Sequence, residues 1–206
     1  MTDLFEKFDP KNYEKTLFNS FNDVDINEIV EQLKNLSKNN KNVFEKIDSI
    51  KNLLKKEDIS RLKLIKLLYC LKYNSETFLN IGRLIEKYLN DVVNYYMDNS
   101  IEHNQIPSFR NIIKNFENRT LFEKSDSILS ADLFENKSTN NYIAGKIKAL
   151  TTLRNYGGHF KNIEFFENIF CNQEKFDKEL IDAFDLIIDI INAFNIVQNN
   201  HINEIP

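Results

Sequence analysis

Apolar side chains recur at intervals of three and four residues along most of the chain, the spacing that places them on one face of an α-helix. The clearest stripe predicts a long helix that starts at Ser75–Glu76 and ends near Asn99. A second long helix is predicted near the C-terminus. The inward positions are Phe78, Ile81, Leu84, Ile85, Leu89, Val92, Val93 and Tyr96 in the first helix, and Phe176, Leu180, Phe184, Ile187, Ile188, Ile191 and Phe194 in the second. Both helices are expected to be main struts of a bundle.

Shorter stripes predict further helices in the N-terminal third, at residues 26–36, 44–54 and 59–71, with a break at Asn39–Asn40. A short helix is expected after Ser108, which follows Pro107 and can cap it. Residues 118–138 are less periodic. They are predicted to form a partly ordered excursion from the bundle.

One more helix is predicted between this excursion and the C-terminal strut. Ser138 or Thr139 is the expected N-cap, and Gly157–Gly158 is the expected stop, because glycine is the residue most often found after a helix end. The inward positions are Ile143, Ile147, Leu150 and Leu153. Arg154 then falls on the last turn.

Few residues in the chain break helices: it has four Gly and three Pro among 206 residues. The predicted fold is therefore all-α, an up-and-down helical bundle with additional N-terminal helices. Residues 1–74 are interpreted as a helical extension that can pack on the bundle, and residues 75–206 as the bundle itself.

The charge balance argues against general attraction of nucleic acid, since 27 basic and 31 acidic residues give a net charge of -4. Any contact with nucleic acid has to be local. Cys70 and Cys171 lack CxxC spacing, which favours reduced, buried thiols over a disulfide or a zinc site. His103 and His201 lie in Asn-rich surroundings and are expected at the surface.

The N-terminus lacks the positive start and apolar run of a signal peptide, and no apolar stretch reaches the length of a membrane span. The sequence therefore predicts a cytoplasmic protein without membrane contact.

The segment Leu153-Arg154-Asn155-Tyr156-Gly157-Gly158-His159 combines a strong base, a scarce histidine and a pair of glycines. The Arg154 guanidinium can grip two phosphate oxygens, and His159 is suited to proton transfer near neutral pH. Together they suit cleavage of RNA without a metal or other cofactor, which needs a base, a cation and an acid around one phosphodiester.

Five residues of separation would turn the two side chains well apart on an unbroken helix. If Gly157–Gly158 ends or kinks the helix, His159 can swing back toward Arg154, and Asn155 can fix the imidazole tautomer. Lysines near the motif are candidates for a phosphate-binding patch, and Tyr156 either stacks on a base or packs in a dimer interface. The lysines are Lys146, Lys148 and Lys161.

The run from Arg154 to His159 resembles the signature of the HEPN family: an Arg, a polar residue that is often Asn, three further residues and a His. The resemblance covers Ser75 to about Asn199. It departs from many members at Gly158, where an Ala is common, at Phe160, where a Gly is common, and at Lys161, where one toxin subgroup has Tyr.

The resemblance implies a metal-independent endoribonuclease of a bacterial defence or toxin–antitoxin system. It also implies a two-fold homodimer in which two motifs share one cleft, with an antitoxin or a larger effector as a further partner. Carried over by position, Arg154 and His159 are catalytic and Asn155 is their polar companion.

Simpler interpretations stay open for each of these residues. Gly157–Gly158 can be an ordinary helix cap, Arg154 can neutralise a helix C-terminus, and His159 can pack between helices. The chain would then be a non-catalytic helical module that binds RNA, a nucleotide or a partner protein, or a purely structural bundle.

Overall fold

The computed structural model describes residues 41–99, 109–159 and 168–204, and for residue 154, residues 156–159 and residues 202–204 it describes the backbone only. The described residues contain helices and no strand, which confirms the all-α prediction. The helices are α1 (Lys41–Lys51), a 3-10 turn (Lys56–Asp58), α2 (Ile59–Cys70), α3 (Asn74–Asp98), α4 (Phe109–Lys114), α5 (Leu121–Ala131), α6 (Lys137–His159) and α7 (Gln173–Glu204).

The two long struts, α3 and α7, pack against each other and run in the same direction. Near their starts the rings of Phe78 and Phe176 lie 5.7 Å apart, and farther along those of Tyr95 and Phe194 lie 5.5 Å apart. Every inward position predicted for α3 is buried. Burial of each such aliphatic or aromatic side chain contributes about 1.5–3 kcal/mol, so these faces hold the bundle together.

Helix α6 completes the bundle by packing against α3, α5 and α7. It runs antiparallel to α7, because Tyr142 near its start faces Asp189 and Lys146 faces Asp182. All four inward positions predicted for α6 are buried. Its last turns therefore lie beside the beginning of α7.

Helices α1 and α2 share the core of the bundle. Helix α1 packs on α2 and α7, and α2 packs on α3. The Tyr69 hydroxyl of α2 donates a hydrogen bond of 2.8 Å to Asp177 of α7, and its ring lies edge-on to Phe44 of α1 at 5.8 Å. The predicted helix over residues 26–36 and the break at Asn39–Asn40 lie outside the described residues, as does the predicted cap Ser108.

The predicted excursion at residues 118–138 is wrong, because this stretch contains the regular helix α5. Thr120 begins it with a capping box: its hydroxyl accepts from Glu123 N at 3.3 Å, and its backbone N–H donates to the Glu123 carboxylate at 2.8 Å. The periodicity was hidden because three of the buried residues are polar: Lys124, Ser125 and Ser127.

The predicted cap of α6, Ser138 or Thr139, is also wrong, because the helix begins before both residues. Helix α6 begins at Lys137, and the Asn136 side chain accepts a hydrogen bond from Thr139 N at 3.1 Å. Asparagine side chains satisfy free N–H groups at helix starts as well as Ser or Thr does.

Neither cysteine forms a disulfide, but only Cys70 is partly buried. Cys171 is exposed in the connection before α7, so the prediction of two buried thiols is wrong for that residue. Among the helices that the structure describes, none combines the length and the apolar character needed to cross a membrane.

Candidate functional site

The Arg154-to-His159 motif lies on the final turns of α6, and the helix continues through both glycines to His159. The predicted stop at Gly157–Gly158 is therefore wrong. Glycine adopts the right-handed helical conformation about as readily as the left-handed one, so it permits a break without imposing it.

The unbroken backbone separates the two candidate catalytic positions. Each residue turns a helix by about 100°, so positions 154 and 159 lie about 140° apart around the axis of α6. The backbone lacks the broken turn that was expected to bring them together. The side chains of Arg154, Tyr156 and His159 lie outside the described part of the molecule, and so does Lys161.

The turn before the motif is firmly anchored in the bundle. Leu150 and Leu153 are buried, and the buried Thr151 hydroxyl donates to the Ile147 carbonyl at 2.8 Å. Asn155, on the other hand, is exposed to solvent. Its amide is accessible at the surface, as a role beside a substrate requires.

Lys148, which the sequence predicts to bind RNA, forms an ion pair and a ring contact with residues of α5. Its ammonium lies 2.7 Å from Asp126 Oδ1 and 5.4 Å from the ring centroid of Phe122. Lys146 points to the other side of α6, with Nζ 4.0 Å from Asp182 Oδ1 and 5.8 Å from the ring centroid of Tyr142. The two lysines therefore do not form one patch.

A small groove between α6 and α7 adjoins the start of the motif. Leu150 and Leu153 line one wall and Glu179 and Asp182 the other, around a cavity of about 70 Å³. Burial and, next, the neighbouring Asp182 raise the pKa of Glu179, while Lys178 and Lys146 oppose them. The groove has room for a few waters, and Lys146 in its lining partly offsets the charge of the two carboxylates.

The connection into α7 is fixed to the start of α3. The Asn74 amide donates a hydrogen bond of 2.6 Å to the Phe170 carbonyl, and the ring of Phe170 lies 6.0 Å from Phe78 and 5.9 Å from Phe176. This aromatic cluster supports the end of the bundle that carries the motif.

His201 was predicted to be a surface residue, and that prediction is wrong. Its imidazole is only 14% exposed and lies 3.0 Å from Glu135 Oε1, parallel to the ring of Tyr95. Its Nδ1 atom is buried and has no hydrogen-bond partner among the described residues. A histidine in a polar sequence can become buried when another part of the fold covers it, which the sequence alone does not reveal.

A second and larger cavity, which the sequence does not predict, lies between α3 and α7. It has a volume of about 490 Å³ and lies around the second half of both helices. The part of the cavity wall that belongs to the strongly amphipathic helix α3 includes a row of polar residues: Asp91, Asn94 and Asp98. Such rows usually face solvent, so the pattern predicts no cavity.

Within the described ranges, no group of three or more His, Cys, Asp or Glu side chains is placed to hold a metal ion. Comparison with known proteins finds no matching family model, no matching curated protein and no matching solved structure.

Proposed function

We propose that the protein is a homodimeric, metal-independent endoribonuclease of the HEPN type, with Arg154 and His159 as catalytic residues and Asn155 beside them. The observation that carries the proposal is the Arg-Asn-x3-His spacing on the last turns of a well-anchored helix in an all-α bundle. Its place in a bacterial defence or toxin–antitoxin system follows from the same resemblance.

The proposed reaction is attack of a ribose 2′-hydroxyl on the adjacent phosphorus. The base takes the hydroxyl proton, the 2′-oxygen bonds to phosphorus, and the bond to the 5′-oxygen breaks as that oxygen receives a proton. The products are a 2′,3′-cyclic phosphate and a 5′-hydroxyl. His159 transfers a proton and Arg154 stabilises the charge on the phosphate, so no metal is required.

The two residues are proposed to meet across a dimer interface. Because positions 154 and 159 lie on different faces of α6, a cleft between two copies is the arrangement that best unites them. In a two-fold dimer, Arg154 of one copy faces His159 of the partner subunit, and the same pair forms a second time by symmetry.

The test is incubation of purified protein with mixed RNA in EDTA. The wild type is expected to cut, and Arg154→Ala and His159→Ala are each expected to reduce the rate by about a hundredfold or more. Arg110→Ala, at an exposed position of α4, is the matched control and should cut at the wild-type rate. Cutting at the wild-type rate by both motif variants would overturn the proposal.

The second candidate is a non-catalytic module that binds RNA, a nucleotide or a partner protein. The separation of positions 154 and 159 around α6 favours it. Its signature is binding of labelled RNA, of a nucleotide or of a partner protein without cleavage.

A further inference from the structure

The cavity between α3 and α7 lies at the other end of the bundle from the motif. Glu179, beside the motif, and Ile191, in the cavity wall, are twelve residues apart on α7, a distance of about 18 Å along the helix. Its volume of about 490 Å³ is within the range of sites for small molecules, about 300–1,000 Å³. The lining residues thus form a site separate from the motif.

One end of this cleft is a closed network of charges. Asp91 lies 2.7 Å from the ammonium of Lys55 and 3.5 Å from that of Lys87. Lys87 also binds the buried Asp58 at 2.8 Å, and Tyr88 lies 3.1 Å from the same carboxylate. Both lysines at this end of the cleft, Lys55 and Lys87, are therefore paired with carboxylates.

Two groups in this network, Lys87 and Tyr88, have raised pKa values. Burial opposes the charge of Lys87, but hydrogen bonds to Asp58 and Glu57 and the charge of Asp91 outweigh it and raise its pKa. Burial raises the pKa of Tyr88 to about 12, and the nearby Asp58 adds to this. Lys87 therefore keeps its positive charge, and Tyr88 stays neutral, over the whole physiological range of pH.

The opposite end of the cleft carries an unmatched carboxylate. Asp98 is exposed and has no ion pair or hydrogen bond within the described ranges. It is the last residue of α3, where the free carbonyl groups of a helix add partial negative charge. The other polar side chains there are neutral amides, those of Asn94, Asn195 and Gln198. This end therefore attracts cations.

Apolar and aromatic groups line the space between the two ends. Tyr95 and Phe194 meet edge to face at 5.5 Å, and Ile191 and Leu53 extend this surface. Ring faces attract ammonium and guanidinium groups, and the apolar atoms can cover the body of a ligand.

We propose that this cleft binds a small organic cation. Its ammonium or guanidinium group pairs with Asp98, and its methylene or aryl body lies on Tyr95, Phe194 and Ile191. A phosphate or carboxylate ligand is disfavoured, because it would face Asp98, and the cations described at the cleft, Lys55 and Lys87, are already paired with Asp91 and Asp58. The proposal does not depend on the ribonuclease activity.

The test is calorimetric titration of the full chain with phenethylammonium. Neutral 2-phenylethanol and anionic 3-phenylpropionate have a similar body and separate the contribution of the charge. The ammonium is expected to bind with a dissociation constant in the millimolar range, and the neutral compound at least about threefold more weakly. The anion is expected not to bind.

Two variants locate the site. Asp98→Asn removes the charge, and Asn195→Tyr, at an exposed wall position, fills the cleft; each should weaken binding at least about threefold. Glu174→Gln removes a charge at the far end of α7 and should leave binding unchanged. Absence of binding, equal binding of the neutral compound, or full binding by Asp98→Asn would overturn the proposal.

Discussion

The carboxyl group of Glu179 lies half-buried between α6 and α7, with Asp182 beside it. Burial and this neighbour raise its pKa above the ordinary value. A raised carboxyl pKa means that the folded chain binds the proton more tightly than the unfolded chain, so its effect on stability depends on pH.

Glu179→Gln is expected to stabilise the protein at pH 7, by less than about 1 kcal/mol because the group is partly solvated. The folded-state pKa is raised, so the ionised form destabilises the fold above that pKa, and this cost disappears as the pH falls below the ordinary glutamate pKa of 4.5. Urea unfolding of the variant and the wild type at several pH values measures this difference in stability. A gain that is equal at pH 4 and pH 7 would contradict the electrostatic cause.

The sequence identifies reactive side chains but not what they touch. Arg154 and His159 stand out by type and spacing, whereas nothing near Lys148 in the sequence indicates that Asp126 binds it. His201 likewise looks like a surface residue until Glu135 and Tyr95 are placed around it. Such contacts depend on long-range packing, which one sequence does not fix.

At the level of helices, most elements are predictable because their buried faces are apolar. Helices α3 and α7 follow their stripes closely. Helix α5 is the exception, since Lys124 is buried with its ammonium 3.0 Å from Asn90 Oδ1 and 3.1 Å from the Glu117 carbonyl. A buried lysine with such partners interrupts the pattern that reveals a helix. Thr120 and Glu123, three residues apart, are the signal that could have found it.

Thr120→Ala is expected to destabilise the protein by about 1 kcal/mol, because it removes the side chain that accepts from Glu123 N at the start of α5. Ser130→Ala, at an exposed position on the last turn of the same helix, is the control and should cost less than about 0.5 kcal/mol. Chemical denaturation measures both changes. Equal losses in the two variants would show that the capping box does not stabilise α5.

The continuation of α6 through its glycines can be tested directly. Alanine is more favourable than glycine inside a helix by about 0.5–1 kcal/mol, but it is strained where φ is positive. Gly158→Ala is therefore expected to stabilise the protein. Gly145→Ala is the matched control, since a Cβ atom at that exposed position of α6 meets nothing within 4 Å.

Thermal unfolding compares the two variants. A rise in the midpoint for both agrees with an unbroken helix up to His159. A rise for Gly145→Ala together with a fall for Gly158→Ala would indicate the break that the sequence favoured.

On the scale of the whole molecule, the two candidate sites lie toward opposite ends of the parallel helices α3 and α7. The motif lies at the end where Phe78, Phe170 and Phe176 cluster, and the cleft proposed to bind a cation lies around Tyr95 and Phe194. Composition and periodicity are sufficient to predict the all-α bundle. They do not predict the cleft, because its walls come from residues about a hundred positions apart.

The proposed dimer makes a quantitative prediction for mixed subunits. If cleavage needs Arg154 of one copy and His159 of the partner subunit, a mixed dimer of Arg154→Ala and His159→Ala chains has one of its two Arg154–His159 pairs intact. Equal mixing makes half of the dimers mixed, so about a quarter of the wild-type activity should return.

Ribonuclease assays in EDTA on the separate and mixed variants measure this recovery, with subunit exchange followed by a fluorescent label. No recovery after complete exchange would contradict a cleft shared in this way.

The most direct measurement for the central claim is the chemistry of the RNA ends. A defined RNA oligonucleotide is incubated with the protein in EDTA, and the fragments are analysed by mass spectrometry. Wild type is predicted to give 2′,3′-cyclic phosphate and 5′-hydroxyl ends, and His159→Ala to give none. Uncut RNA with the wild type, or the same fragments with His159→Ala, would contradict the claim.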